Sequence, residues 1–152
     1  MAERSASVHA SCVLVGARAV LIRGPSGCGK SRLALELIQG GAAGALGFAR
    51  LVADDRVHLA PTSGRLLARP AEALAGLIEV RGVGLLRLPY EPCAVVGFVL
   101  DLGAQDASRL TDPQQREVMI DGILLPRLPA ASGAAALPAV LAILNLPRES
   151  WL

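Results

Sequence analysis

Lysine is almost absent from this chain of 152 residues: of its 15 basic residues fourteen are arginine, and Lys30 is the single exception. Aromatic residues are scarce as well, at 3%. With so few rings to stack on bases, scattered arginines and a formal net charge of only +2, nucleic-acid binding is disfavoured. Cys12, Cys28 and Cys93 show no C-x-x-C spacing and have no histidine-rich partner. Neither a zinc site nor a disulfide framework is therefore expected, and reduced thiols point to the cytoplasm. No basic-then-apolar leader opens the chain, and no apolar run reaches the roughly 20 residues of a membrane span. A soluble protein with no membrane partner is expected, forming one domain over residues 1–152, with the tail from about 129 the least determined part. Leu, Val, Ile and Ala must fill its core.

The most informative stretch runs from Val20 to Gln39. An apolar run, VLIRG, breaks into GPSGCGKS and then into a helical pattern with Leu33, Leu35, Leu37 and Ile38. Strand, loop, helix is the expected order. Gly24, Gly29, Lys30 and Ser31 fill the fixed positions of G-x-x-x-x-G-K-[ST]. Loop amides and the positive end of the following helix would bind phosphate oxygens, so Gly24, Pro25, Ser26, Gly27, Cys28, Gly29, Lys30 and Ser31 are the nucleotide-binding candidates. Lys30 would reach the β- and γ-phosphates and the Ser31 hydroxyl would ligate Mg²⁺. A compact cation on a thin stem suits that cradle better than a planar guanidinium. Cys28 is read as a small residue at a variable position.

Around this stretch the pattern predicts many strands and few helices, an α/β class. Val8 to Val15 and Ala19 to Ile22 flank Gly16-Ala17-Arg18 and read as an antiparallel pair, so the sheet is expected to be mixed. The glycines from Gly40 onward read as a helix stop. Arg56 to Ala60 and Arg65 to Ala68 flank a hairpin turn at Pro61-Thr62-Ser63-Gly64, and Pro70 to Ala75 reads as a short helix or turn. Leu77 to Gly84 reads as extended, followed by strands at Leu85 to Leu88 and Val95 to Leu102. Asp112-Pro113 signals a short helix, Val118 to Leu128 an extended run, and a last helix is expected to begin at Pro138.

Holding a nucleotide does not by itself transfer phosphate; carboxylates must organise metal and acceptor. Two strands end in acid. LVADD, ending at Asp54-Asp55, is the stronger candidate, with VVGFVLD, ending at Asp101, as the alternative. Alternation along an extended chain points Asp54 and Asp55 to opposite sides, so one would face the metal and the other the acceptor hydroxyl. Glu79 and Arg81 would share a strand face before Gly82 and Gly84, forming either an active-site charge pair or an exposed salt bridge. His9, taken alone, reads as structural or solvent-facing.

Taken together, HASCVLV with His9, GPSGCGKS (Gly24 to Ser31), LVADD (Leu51 to Asp55) and IEVRGVG (Ile78 to Gly84) resemble the catalytic, C-terminal domain of the HPr kinase/phosphorylase family, and more closely the short form of α-proteobacteria. The resemblance implies a P-loop nucleotide-binding fold with a mixed sheet, similar to phosphoenolpyruvate carboxykinase. It implies a serine kinase that uses ATP and Mg²⁺ to phosphorylate HPr, the phosphocarrier of the phosphotransferase system, with reverse phosphorolysis also known. It further implies Asp55 as acid/base on the serine, Asp54 toward the metal with Ser31, His9 near the acceptor, and Glu79 and Arg81 supporting metal and phosphate geometry. The long members are hexamers, so a homo-oligomer is a further implication. Two departures stand out. Arg32 follows GKS where the family commonly has an acid, and the loop by which the long enzymes contribute a catalytic arginine near the C-terminus is not matched, LLPRLPA, with Arg127 its only cation, being the nearest candidate to stand in for it. Two other readings compete: a small-molecule P-loop kinase, and a nucleotide-binding regulatory module without transfer.

Overall fold

In the computed structural model the described residues are 7–44, 46–105 and 116–145. The helix start expected at Asp112-Pro113 lies outside them. β1 (Ser7–Val8), β2 (Ala10–Val15) and β3 (Arg18–Arg23) come first, and then α1 (Lys30–Ala42) and β4 (Ala49–Ala53). A hairpin of β5 (Val57–Thr62) and β6 (Arg65–Pro70), a 3₁₀ turn (Glu72–Leu74), and a second hairpin of β7 (Leu77–Val80) and β8 (Gly84–Arg87) follow. β9 (Ala94–Leu102), β10 (Glu117–Ile120), β11 (Ile123–Ala130) and α2 (Gly133–Asn145) complete the order. This is a mixed α/β fold.

Strand direction is what positions the site. β2 pairs antiparallel with both β3 and β4, so β3 and β4 run the same way. β9 runs parallel to β3, and β11 parallel to β9. The carboxyl ends of β3, β4, β9 and β11 therefore share one edge of the sheet, the edge at which open α/β sheets place their ligands. β2 lies between β3 and β4 and presents its amino end at that edge.

Both faces of the central strands are covered, and their near-continuous apolar runs follow from that. Val20 and Ile22 of β3 join Leu33 and Leu37 of α1, Leu100 of β9 and Val140 of α2 on one face. Ala19 and Leu21 join Val57, Leu59 and Leu66 of the folded-over β5–β6 hairpin on the other. Cys12 is buried in this second cluster, where burial pushes its thiol pKa up to about 12. That thiol is inert.

Several sequence expectations are corrected here. α1 runs on through Gly40 and Gly41 to Ala42. A Cβ on Gly41 would lie 2.6 Å from the Ala49 Cβ, so a bare helix end is what lets β4 pack against it. Pro61 and Thr62 belong to β5, leaving a two-residue turn in which Ser63 and Gly64 both have positive φ. Among the described residues β1 pairs only with Val57 and His58, so that no described strand takes up the outer side of β5 at Pro61, as a proline in a strand requires. The expected extended run at Leu77 to Gly84 is a hairpin, with Arg81 in its turn. Val118 to Leu128 is likewise two strands turning at Asp121-Gly122, both with positive φ. α2 begins at Gly133, five residues before Pro138. Ser132 starts it, its Oγ accepting the Ala135 N–H at 3.2 Å in the manner of an N-cap.

Candidate active site

The glycine-rich loop leaves β3 at Arg23 and enters α1 at Lys30. Gly24, at φ 152°, has no room for a side chain, since a Cβ there would meet the Leu102 carbonyl oxygen at 2.8 Å. Gly29, at φ 94°, begins the helix, its carbonyl accepting the Leu33 N–H at 3.0 Å. Lys30 is buried and folds back over its own loop. Its Nζ donates to the Gly24 carbonyl at 2.7 Å and the Pro25 carbonyl at 3.0 Å. The single lysine thus closes the loop on itself with a cation at the centre.

Across from the loop, β4 ends at Ala53 and Asp54 is buried, 4% exposed. Ser11 Oγ donates to its Oδ1 at 2.6 Å, and Ser31 Oγ lies 2.8 and 2.9 Å from its two oxygens. The Glu79 N–H adds a long contact of 3.4 Å to Oδ2. These donors are all neutral. Among the described residues no lysine or arginine pairs with Asp54, an unusual setting for a shielded carboxylate.

Asp55 turns out of the strand. The Arg56 N–H bonds back to the Asp54 carbonyl at 2.8 Å, and Asp55 between them has φ 68°. This is a γ-turn of the rare positive-φ kind, held by a non-glycine residue. Such strain costs on the order of 1–3 kcal/mol and gathers at functional positions. It presents the Asp55 carboxyl to the cleft, where Oδ1 lies 2.9 Å from His9 Nε2. Asp54 and Asp55 therefore point apart, as alternation predicts, although a turn rather than strand geometry separates them.

An open cleft of about 1250 Å³ brings most of the predicted residues together. His9, Ser26, Gly27, Gly29, Lys30, Ser31, Asp54, Asp55, Glu79 and Arg81 all line it. Arg32 lines it too, its Nε donating to Glu36 Oε1 at 3.0 Å one helical turn on. The β7–β8 hairpin forms the opposite wall, with exposed Val83 and Leu85. Ser11 lines the cleft as well and was missed by sequence reading. Serine in an apolar strand run, two residues after His9, is the signal that marks it.

Gly24, Pro25 and Cys28 of the loop are not among the residues lining the cleft, and two further candidates, Asp101 and Arg127, lie elsewhere. Asp101 accepts from Arg23 Nε and Nη2 at 2.7 and 2.8 Å, and from Arg127 Nε at 2.5 Å. Burial raises its pKa, but the two guanidiniums outweigh burial and hold the carboxyl below its usual value. Arg127 is thereby committed to Asp101 and is not among the residues lining the cleft.

A mixed α/β sheet whose shared carboxyl edge carries a glycine-rich loop facing a buried carboxyl defines the class to which this chain belongs. Residues 1–90 match the family described as the HPr Serine kinase C-terminal domain, and the chain belongs to that family. It is 48% identical over 87 residues to the HPr kinase/phosphorylase of Streptococcus thermophilus, covering 57% of this chain and 26% of that protein. Against the protein of that name from Streptococcus pneumoniae it is 37% identical over 139 residues, covering 84% of this chain and 42% of the other. The chain thus spans less than half the length of these curated relatives. The fold matches a solved structure of the Hpr(Ser) kinase/phosphatase from Coxiella burnetii, with TM-score 0.73 and 24% identity, covering 90% of this chain and 93% of that one.

Proposed function

We propose that this chain is an ATP- and Mg²⁺-dependent protein-serine kinase whose acceptor is the phosphocarrier HPr. Its strand–loop–helix from Val20 to Gln39 is read as a P-loop within a sheet similar to that of phosphoenolpyruvate carboxykinase. The antiparallel β2 beside β3 supports that likeness. The names of its relatives support the acceptor, and the strained Asp55 facing the loop across the cleft is the observation that carries the reaction.

In this reading the loop amides and Lys30 neutralise the nucleotide phosphates. Lys30 would exchange its two loop carbonyls for phosphate oxygens without leaving the loop. Ser31 and Asp54 would hold Mg²⁺, with Glu79 at the margin. The donor set fits: both are hard oxygen groups, and among the described residues the Asp54 carboxyl has no protein cation against it. Among the described residues no three His, Cys, Asp or Glu side chains converge. The ion would take its remaining ligands from phosphate and water. When bound, Mg²⁺ would offset charge on the transferring phosphoryl group. Asp55 accepts the proton of the acceptor serine hydroxyl, and His9, 2.9 Å from it, orients that carboxyl.

The reverse reaction, attack of inorganic phosphate on phosphoserine to release pyrophosphate and the free serine, would use the same groups, with Asp55 returning the proton. Arg127 takes no part, being bound to Asp101.

The test is transfer of labelled phosphate from ATP to HPr by the purified protein with Mg²⁺. Labelled serine on HPr is expected, abolished by Lys30→Ala and by Asp55→Asn. Tight ATP binding with no labelled HPr would leave a regulatory module in place of a kinase.

A further inference from the structure

Ser11 lies within HASCVLV but has been given no role there, yet it is buried and its hydroxyl is held by a short hydrogen bond. It is the second residue of β2, which enters the ligand edge by its amino end, and it sits between the loop strand β3 and the acidic strand β4. The β2–β4 register shifts between Cys12 and Val13, one residue after Ser11, where Cys12 faces Ala53. A bulge of this kind re-aims the side chains beside it. Ser11 is 1% exposed, and its hydroxyl is spent on Asp54 Oδ1 at 2.6 Å.

The consequence falls on Ser31. A hydroxyl has one proton, and Ser31 Oγ stands almost equally close to both Asp54 oxygens, at 2.8 and 2.9 Å. With the Ser11 proton on Oδ1, that oxygen is already satisfied by a short bond. The Ser31 proton is then best placed on Oδ2, which otherwise has only the 3.4 Å contact from the Glu79 N–H. Ser31 is held in one donor orientation, which turns its lone pairs away from the carboxyl.

We propose that Ser11 is a positioning residue for the metal site: it locks the Asp54 carboxyl and, through it, points the Ser31 oxygen at a divalent cation. This rests on the reading of Ser31 and Asp54 as the metal-holding pair. Groups that orient metal ligands in this way typically change metal affinity by about 10–100-fold when removed.

The test compares Ser11→Thr, which keeps the hydroxyl, with Ser11→Cys, which keeps the volume but offers only a weak donor, and with Ser11→Ala. Mn²⁺ binding by the full chain is followed by electron paramagnetic resonance with ADP present, and thermal melting is followed without metal. Ser11→Thr is expected to bind Mn²⁺ as the unaltered protein does. Ser11→Cys and Ser11→Ala are expected to bind it about 10–100-fold more weakly. Equal affinity in Thr and Cys variants overturns the proposal, whatever the melting temperatures do, because a purely structural Ser11 would move melting alone. If Ser11→Ala does not fold, the Thr and Cys pair still decides. Loss of Mn²⁺ by Ser31→Ala, with Ser11→Cys unaffected, would leave the metal pair standing and remove only Ser11. Absence of Mn²⁺ binding by the unaltered protein would overturn both.

Discussion

Asp54 at the end of β4 and Asp101 near the end of β9 stand at the same edge of one sheet, both shielded from solvent, and their surroundings are opposite in kind. Asp101 receives two guanidiniums, Arg23 from the neighbouring strand on one side and Arg127 from the strand on the other. Asp54 receives two serine hydroxyls and a backbone N–H. Burying an ionised carboxylate without a cation costs several kcal/mol, and proteins retain such an arrangement where a cation arrives from outside. The β9 end is electrostatically finished within the chain, tying β3, β9 and β11 together beneath the loop. In the proposed reading the β4 end is held for a ligand, and the strained turn at Asp55 follows directly on it.

The largest expected effects fall on the β4 end. Asp55→Gly removes the carboxyl while giving the positive-φ turn the residue that fits it best. Phosphate transfer to HPr should fall by about 10²–10⁴-fold, the usual worth of a positioned base. The melting temperature should not fall. A variant that lost activity and stability together would mean that Asp55 is a structural residue, and the comparison would break.

Next comes the direct exchange of the two ends. Asp54→Asn should lower transfer by about 10²–10³-fold, with unchanged or raised stability in the absence of metal, since a shielded charge is removed. Asp101→Asn should do the reverse. It keeps transfer within about tenfold and costs about 1.5–3 kcal/mol in urea unfolding, the range for hydrogen bonds to charged groups. If Asp101→Asn is the inactive variant, the two strand ends have been assigned the wrong way round.

Titration sharpens the same contrast. The folded Asp101 carboxyl has a pKa below its unfolded value of roughly 3.9. Its contribution is therefore complete above that value and is lost as pH falls through the lower, folded one. Unfolding free energies measured from pH 6 downward should show unaltered protein and Asp101→Asn separated by a constant gap to about pH 4 and converging below it. A gap that persists into stronger acid would mean that the two arginines do not depend on the Asp101 charge.

Much of this is legible in the sequence alone. The loop is local, written in contiguous residues, and LVADD and IEVRGVG carried the resemblance that brought in His9, Glu79 and Arg81. What escaped was pairing. Ser11 meets Asp54 only because β2 lies between β3 and β4, and Arg127 meets Asp101 only because β11 lies beside β9. Neither adjacency is encoded near the residue concerned. The missed turn at Asp121-Gly122 is a different failure. Asp-Gly between apolar runs is a strong hairpin signal that was present and passed over. Pro138 misled because helix-breaking by proline was weighed without the Ser132 cap and the close approach of Gly133, whose N–H bonds to the Cys28 carbonyl at 3.1 Å.

The smallest effect tests whether Asp54 is truly without a cation. Arg32 is the nearest candidate in sequence to supply one, since it follows Ser31 and lines the same cleft. Its Nε is paired with Glu36, and its side chain is 77% exposed. The pair has Arg before Glu, the weaker order on a helix, and a cation in the first turn opposes the helix dipole. An exposed pair of this kind is worth about 0.3–0.5 kcal/mol, and the unfavourable dipole is worth a similar amount. Arg32→Ala, which also puts in the best helix former, should therefore leave stability unchanged or slightly raised. If Arg32 instead neutralised Asp54 in solution, its removal would strand a shielded charge. Stability would then drop by more than about 1 kcal/mol, a fall of about 2–4 °C in melting temperature for a chain of this size. The drop would disappear in an Asp54→Asn background, because the charge to be neutralised is gone. A double-mutant cycle over Arg32 and Asp54 thus reads the coupling directly, and a coupling near zero is what the open carboxyl of β4 requires.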